Sequence, residues 1–245
     1  MSRELGPAHL YRRILGALRT EWGALLAIAA IVFLPLSLVE ALSERGLELE
    51  AEELTILEIG AVAIAGLVEL AGSLLGEVFY AGAVAAILVG SRTGIRRRLS
   101  EVARELPYLR LIGVDILYIL GVAVGLVLLV VPGVAFFAYF ALTAPIVEIE
   151  RRGIRAAFGR SLALVRGRFW TVVAVLLPVT VAIELITEAD QALVAALLGH
   201  SLPAEWLATA IVNIALTPIY AVAAVVLTIE LIDARGERLR SAAAK

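Results

Sequence analysis

The sequence predicts an all-α membrane protein with six transmembrane helices, amphipathic helices on the cytosolic side, and both termini in the cytosol. Of its 245 residues, 61% are hydrophobic, and the mean hydropathy is +0.96. Soluble domains are roughly 45–50% apolar by a comparable count. Six apolar stretches approach the length of about 20 residues that crosses the hydrocarbon core of a bilayer. Between them, 20 of the 21 basic residues lie in four separate segments.

The N-terminal part of the chain reads as a basic amphipathic helix followed by the first span. Within residues 8–20, helical spacing places Leu10, Ile14 and Leu18 on one face, with arginines off it. We expect this helix to lie on the inner leaflet. The first span is then Trp22–Val39, which begins with an interfacial tryptophan.

The second span follows an acidic loop at residues 40–54. Residues 56–90 are mostly apolar, and 35 helical residues would extend roughly 52 Å, which is too long for one perpendicular crossing. We therefore predict an outer helix to Ala71 and a span over Gly72–Gly90. A single long broken helix is the alternative.

The third and fourth spans are predicted to form a hairpin. A second basic amphipathic segment, residues 91–110, precedes the third span at Leu111–Val131. Pro132 and Gly133 are typical of a tight turn. The fourth span is then Val134–Val147, which is short for a crossing.

The last two spans follow a third basic amphipathic segment at Gly153–Val165. The fifth span is predicted over Trp170–Ile186, and an outer segment without Lys or Arg occupies residues 187–204. The sixth span is predicted over Trp206–Ile232, followed by a charged tail at residues 233–245.

The distribution of basic residues predicts the orientation of the chain. All four basic segments fall on one side of the six spans, and Arg45 alone falls on the other. Cytoplasmic loops carry the excess of Lys and Arg in membrane proteins. The sequence therefore predicts a multi-pass protein of the cell inner (cytoplasmic) membrane, a single domain over residues 1–245, with both termini cytosolic.

An internal repeat is indicated by matches at a fixed spacing. Five residues between Tyr80 and Arg96 recur 59 positions later, between Tyr139 and Arg155, and a looser copy begins at Tyr220. The matches predict a three-fold repeat of a helical hairpin, over residues 8–90, 91–150 and 151–240. Internal repeats are common in transporters, but duplication in a structural bundle explains them equally well.

Polar side chains inside the spans are the first candidates for a functional site, because they are costly in lipid and often functional. The candidate intramembrane polar residues are Glu77, Glu69, Asp115 and Asn213. Glu77 is the deepest, and it can serve either interhelical pairing or an ion or proton site. For Asp115, a local ion pair with Arg110 is the simpler explanation.

The basic amphipathic segments are the second candidates. Each arginine near an anionic membrane surface contributes about 1 kcal/mol of attraction. The candidate lipid-headgroup contacts are Arg96, Arg97, Arg98, Arg155 and Arg160. Alternatively, carboxylates at the ends of the fourth and sixth spans could pair with arginines of the surface helices, for example Arg155 or Arg160, and fix those helices to the bundle. These carboxylates are Glu148, Glu150, Glu230 and Asp233.

A third set of residues carries a family resemblance. The region from Val131 to Trp170 contains the stretches Val131-Pro-Gly-Val and Thr143-Ala-Pro-Ile-Val-Glu, followed by Ala156, Ser161, Leu164, Gly167 and Trp170. In these residues the chain resembles uncharacterised bacterial and archaeal six-span membrane proteins. This family is related to the membrane domain beside some glycerophosphodiester phosphodiesterases. The resemblance implies a membrane domain of unknown role, without phosphodiester hydrolysis. Structural roles are expected for Pro132, Gly133, Pro145, Glu148, Gly153, Ser161, Gly167 and Trp170.

No catalytic motif is visible, and two histidines with no cysteine leave little for metal chemistry. We therefore predict no enzyme activity, no cofactor and no nucleic-acid binding. We expect a non-enzymatic protein of the inner membrane that engages anionic lipids or a protein partner and supports membrane organisation. The protein partner could be a second copy of the same chain. The alternatives are a small-solute or ion transporter or channel, and a membrane-anchoring subunit of a separate enzyme.

Overall fold

The predicted all-α polytopic fold is confirmed. A computed structural model describes the backbone of residues 6–49, 56–94, 98–198 and 201–236, and side chains there except at 43–49, 56–74, 99, 195, 198 and 205. This part of the chain is 91% helical, has no strand, and contains six segments long and apolar enough to cross a membrane. Its helices are α1 (Pro7–Leu49), α2 (Ile56–Thr93), α3 (Leu99–Glu105), α4 (Tyr108–Leu128), α5 (Val130–Phe140), α6 (Thr143–Glu150), α7 (Ile154–Val165), α8 (Phe169–Leu198) and α9 (Leu202–Ala234).

The N-terminal amphipathic segment is not a separate surface helix. Helix α1 runs for 43 residues without a break, which corresponds to about 65 Å. The hydroxyl of Tyr11 donates to the carbonyls of Ala174 and Val175 in α8, at 2.9 and 3.2 Å. Residues 8–20 therefore continue directly into the first span and contact the fifth, so the predicted separation of a surface helix from the span is not observed.

The apolar stripe of that segment explains the difference. Leu10 and Ile14 are buried in the core, and Leu18 is nearly so. Amphipathicity requires only that one face avoids water, and here a protein surface, formed mainly by α9, covers that face.

Helix α2 is also continuous. It extends for 38 residues from Ile56 to Thr93, so the predicted division at Gly72 is absent. The alternative prediction, one long broken helix, is closer to the structure, although the observed helix has no break. Its segment Leu75–Thr93 is apolar enough to span.

The turn between α4 and α5 lies three residues before the predicted one. Leu129, in an extended conformation with φ −167° and ψ 149°, is the single residue between the two helices. Pro132 lies in the first turn of α5, where backbone N–H groups have no intrahelical acceptor, so its missing N–H costs little. A Cβ on Gly133 would lie 2.5 Å from Leu126, so this glycine permits the close approach of the two helices.

The fourth span is interrupted. Helix α5 ends at Phe140 and α6 begins at Thr143, with a turn between them. Pro145 has no N–H to donate to the carbonyl of residue 141, which disfavours a continuous helix there. Buried Ser161 of α7 donates its Oγ to the Tyr139 carbonyl at 2.7 Å, which satisfies one acceptor next to the interruption.

Helices α1, α2 and α9 form the centre of the bundle, and α1 packs most extensively on α9. Helix α8 continues to Leu198, through most of the predicted outer segment at residues 187–204. The α4–α5 hairpin lies at the periphery, where many of its leucines and valines are exposed. Such a surface is suited to lipid.

Left-handed residues end three of the spans. Gly94, Arg151 and Gly236 have φ of 73°, 54° and 70°, and follow α2, α6 and α9 respectively. They lie at corresponding ends of the proposed hairpin units, and the three-fold repeat itself stays a prediction. At the end of α6 the left-handed residue is Arg151, whereas Gly153 has an ordinary φ of −74°.

The two glycines around α7 therefore differ in what they require, and this gives a prediction. Gly167 has φ +85° between α7 and α8, where an L-residue costs roughly 1–2 kcal/mol. Both glycines have open space around a Cβ. We expect Gly167→Ala to lower the thermal unfolding temperature in detergent, and Gly153→Ala to leave it within error. Equal effects of the two substitutions would contradict this account.

Candidate functional site: the basic end and the carboxyl groups in the spans

One end of the bundle collects the described arginines, and we name it the basic end. Its central residue is Glu230 of α9, whose side chain is only 6% exposed. Glu230 accepts hydrogen bonds from Arg13 of α1, at 3.0 Å, and from Arg92 of α2. Arg92 also binds Asp233 at 2.9 Å. These contacts connect the first, second and sixth spans at the same level.

A second group of ion pairs fixes α3 and α7 to the end of α6. Glu150 pairs with Arg160 of α7 at 3.0 Å, which is the kind of contact expected between this exit and the basic helix. Arg160 is 12% exposed, so its expected role as a headgroup contact gives way to this internal one. Arg151 pairs with Glu105 of α3 at 3.3 Å.

The remaining headgroup candidates divide into two groups. Arg98 precedes α3 and Arg155 lies in the first turn of α7, and both side chains are exposed. Arg96 and Arg97 lie outside the described residues. Trp170, at the start of α8, is 77% exposed, as expected for an interfacial anchor.

Carboxyl groups on three helices are linked electrostatically through Asp115. Asp115 of α4 interacts electrostatically with Glu77 of α2 and with Glu148 of α6. Glu77 is exposed at the protein surface, although many protein atoms surround it. Among the described residues, Asp115 makes no ion pair with Arg110, so the simpler explanation of this aspartate is wrong.

Glu148 has the most unfavourable environment of the three. Both of its carboxylate oxygens are buried, and neither has a hydrogen-bond partner in the described structure. Arg151 interacts electrostatically with Glu148 but forms its ion pair with Glu105. The expectation that Glu148 pairs with Arg155 or Arg160 is therefore wrong. A buried, unpaired carboxylate is costly, and such groups need a compensating proton or cation.

Two tyrosines near this site were not identified from the sequence. Tyr118 lies one turn after Asp115 on α4, and Tyr220 lies on α9; both interact electrostatically with Asp115. The Tyr118 hydroxyl is buried, and it lies beside the hydroxyl of Tyr220. The spacing of three residues between Asp115 and Tyr118 was a usable signal, because it places both on one helix face.

The other polar candidates do not join this group. Asn213 of α9 donates to the buried hydroxyl of Ser37 in α1 at 3.4 Å, which is an interhelical structural contact. The side chain of Glu69 lies outside the described ones. Within the described residues, no three acidic, histidine or cysteine side chains are placed to hold a metal ion together.

Comparisons of the chain with known protein families, with curated proteins and with solved structures gave no match. The resemblance to six-span proteins related to the phosphodiesterase membrane domain stays a prediction, as does the role of an anchoring subunit.

Proposed function

We propose that this multi-pass membrane protein is non-enzymatic, engages anionic lipids at its basic end, and supports the organisation of the cytoplasmic membrane. The observation that favours this function is the collection of arginines at one end of six spans, with Arg98 and Arg155 exposed beyond the ion-paired ones. Each exposed arginine near an anionic surface contributes about 1 kcal/mol. Helices α3 and α7 hold these two arginines beside the bundle.

The proposal includes an orientation in which the basic end faces the cytosol, because cytoplasmic loops carry the excess of Lys and Arg. Both termini then lie in the cytosol. The tie between Arg13 and Glu230 supports a common side, since it places the start of α1 beside the end of α9.

The absence of cysteine from the chain allows a direct test of orientation. Ser100 on α3 and Ser201 before α9 are exposed at opposite ends of the bundle. In intact spheroplasts, a membrane-impermeant maleimide should label a Ser201→Cys variant at once and a Ser100→Cys variant only after lysis. The reverse pattern would overturn the orientation, and with it the contact with the inner leaflet.

The lipid preference can be measured in nanodiscs made from equal parts of phosphatidylglycerol and phosphatidylcholine. Native mass spectrometry of the released protein should show enrichment of the anionic lipid, reduced at least about threefold in the double variant Arg98→Gln/Arg155→Gln, because two attractions of about 1 kcal/mol are lost. The matched control is Arg45→Gln, which changes the one basic residue predicted on the other side. Equal enrichment in all three proteins would contradict the proposal.

A second candidate function is small-solute or ion transport, and one observation favours it. The carboxylate of Glu148 is buried without a hydrogen-bond partner and interacts with the carboxylate of Asp115, so it lowers the stability of the fold. Residues that lower stability in this way are often retained for function. A proton or a small cation would supply the missing partner.

This candidate predicts opposite effects of one substitution. Glu148→Gln should raise the unfolding temperature, since an unpaired carboxylate is replaced by a neutral amide. It should also abolish proton uptake into proteoliposomes driven by a potassium gradient with valinomycin and followed with a pH-sensitive dye. Asn213→Ala serves as the control for a polar intramembrane residue outside the site. A stabilised variant with unchanged uptake would remove transport through Glu148.

A further inference from the structure

A groove of about 420 Å³ lies between α1, α2 and α9 at the basic end. Pockets that bind small molecules measure about 300–1,000 Å³, so the groove has room for a compact polar group. Arg12, Arg13 and Arg92 line it, together with apolar side chains that include Leu88 and Val226. The groove therefore offers positive charge next to an apolar surface.

The three arginines of the groove meet three carboxylates, those of Glu21, Glu230 and Asp233, so what is in excess is hydrogen-bond donors and not net charge. Arg13 and Arg92 share Glu230, and each guanidinium has five N–H donors, of which these ion pairs use only some. Arg12 donates its Nε to the carbonyl of its own helix at residue 8, at 3.4 Å, and makes no ion pair with any described residue. Glu21 is the acidic side chain of the lining, and it accepts a hydrogen bond from Ser91 at 2.6 Å.

This combination selects a class of ligand. Forked guanidinium donors match the oxygens of a phosphate group in geometry and charge. The apolar part of the lining cannot form hydrogen bonds with a fully hydrated anion, but it can pack against the glycerol and the first methylenes of a lipid. The three helices that form the walls are membrane-spanning segments, so a lipid in the surrounding bilayer meets the groove at the level of its own headgroup.

We propose that this groove binds the phosphodiester headgroup of one anionic membrane lipid, with Arg12 as the principal contact and Arg13 and Arg92 as supporting donors. The proposal rests on the function proposed above and adds a defined site to it. It differs from the general attraction of the exposed arginines, because it concerns one retained lipid and a different set of residues. Free phosphate shares the same chemistry and must be distinguished by experiment.

Gly16 provides a way to close the groove without disturbing the fold. It lines the groove, and a Cβ added there meets nothing within 4 Å. Gly23, two turns further along α1, is equally unobstructed but does not line the groove. Gly16→Phe and Gly23→Phe are therefore a matched pair, since both replace a helical glycine and only the first fills the site.

The charge can be tested with a second matched pair. Arg12→Gln removes a cation of the groove without breaking an ion pair among the described residues. Arg166→Gln removes an exposed cation that neither lines the groove nor belongs to the lipid contacts proposed above. Unfolding temperatures would be recorded for the full-length protein in detergent, titrated with phosphatidylglycerol, phosphatidylcholine or inorganic phosphate. Native mass spectrometry would count the lipids that remain bound.

We expect the unsubstituted protein to retain one phosphatidylglycerol and to be stabilised by it, with little response to phosphatidylcholine or inorganic phosphate. Gly16→Phe and Arg12→Gln should weaken this binding at least about tenfold, the effect of losing a hydrogen bond to a charged group. Gly23→Phe and Arg166→Gln should bind as the unsubstituted protein does. Stabilisation by inorganic phosphate equal to that by the lipid would reassign the groove to a free anion and overturn the lipid assignment.

The two proposals fail in different ways. If the groove variants retain the lipid while Arg98→Gln/Arg155→Gln loses the general enrichment, the groove assignment is wrong and the proposed function stands. If no anionic enrichment occurs around the protein but one lipid is lost in Gly16→Phe, the groove stands and the broader function is wrong.

Discussion

The central helices of this protein are held in register by one buried carboxylate, that of Glu230. A carboxylate in a medium of low polarity must be paired and hydrogen-bonded, because its desolvation otherwise costs more than its packing returns. Arg13 and Arg92 meet this requirement together, and each comes from a different helix. The shared contact places the start of α1, the end of α2 and the end of α9 at one level. The relative positions of α1, α2 and α9 along the bundle axis therefore follow from the need to pair the carboxylate of Glu230.

Buried carboxylates are paired with arginines at the basic end, but one carboxylate further inside the bundle is not. Glu150 has Arg152 and Arg160 as partners, whereas Glu148, two residues earlier on the same short helix, has none among the described side chains. The contrast is informative because both residues belong to one segment with the same supply of nearby arginines. Pairing at Glu150 is adequately explained by the attachment of α7. The isolation of Glu148 has no comparable structural explanation, which is why it is the focus of the second candidate function.

The number of spans and the all-helical class could be predicted from the sequence, because both depend on the local density of apolar residues. The position of residues 8–20 could not, since an apolar stripe at Leu10 and Ile14 is compatible with either lipid or protein as its cover. The sequence predicted a turn at Pro132 and Gly133 because this pair is a common turn signal. In the structure Gly133 instead lies within α5, where its lack of a side chain allows α4 to pack closely.

The candidate site was predictable only in part. Glu77 and Asp115 could be recognised individually as polar residues in apolar stretches. Their approach to Glu148 could not, because no sequence spacing relates residues on three different helices. Glu148 itself was expected to pair with an arginine, and the geometry of α6 and α3 directs the nearest arginine to Glu105 instead. Tyr220 gave no signal of its own, since tyrosines are common near the ends of membrane helices.

The interruption of the fourth span between Phe140 and Thr143 has a mechanical consequence. Helix α5 is bound to α4 through the close contact at Gly133, while α6 is bound to α7 through the ion pair of Glu150 with Arg160. A displacement of α7 is therefore transmitted to both sides of the interruption, to α6 through this ion pair and to the end of α5 through Ser161. The hydrogen bond from Ser161 to the Tyr139 carbonyl is a direct polar link across that joint. Helix α7 thus acts as a brace across the interruption, which connects the lipid-facing hairpin with the basic end.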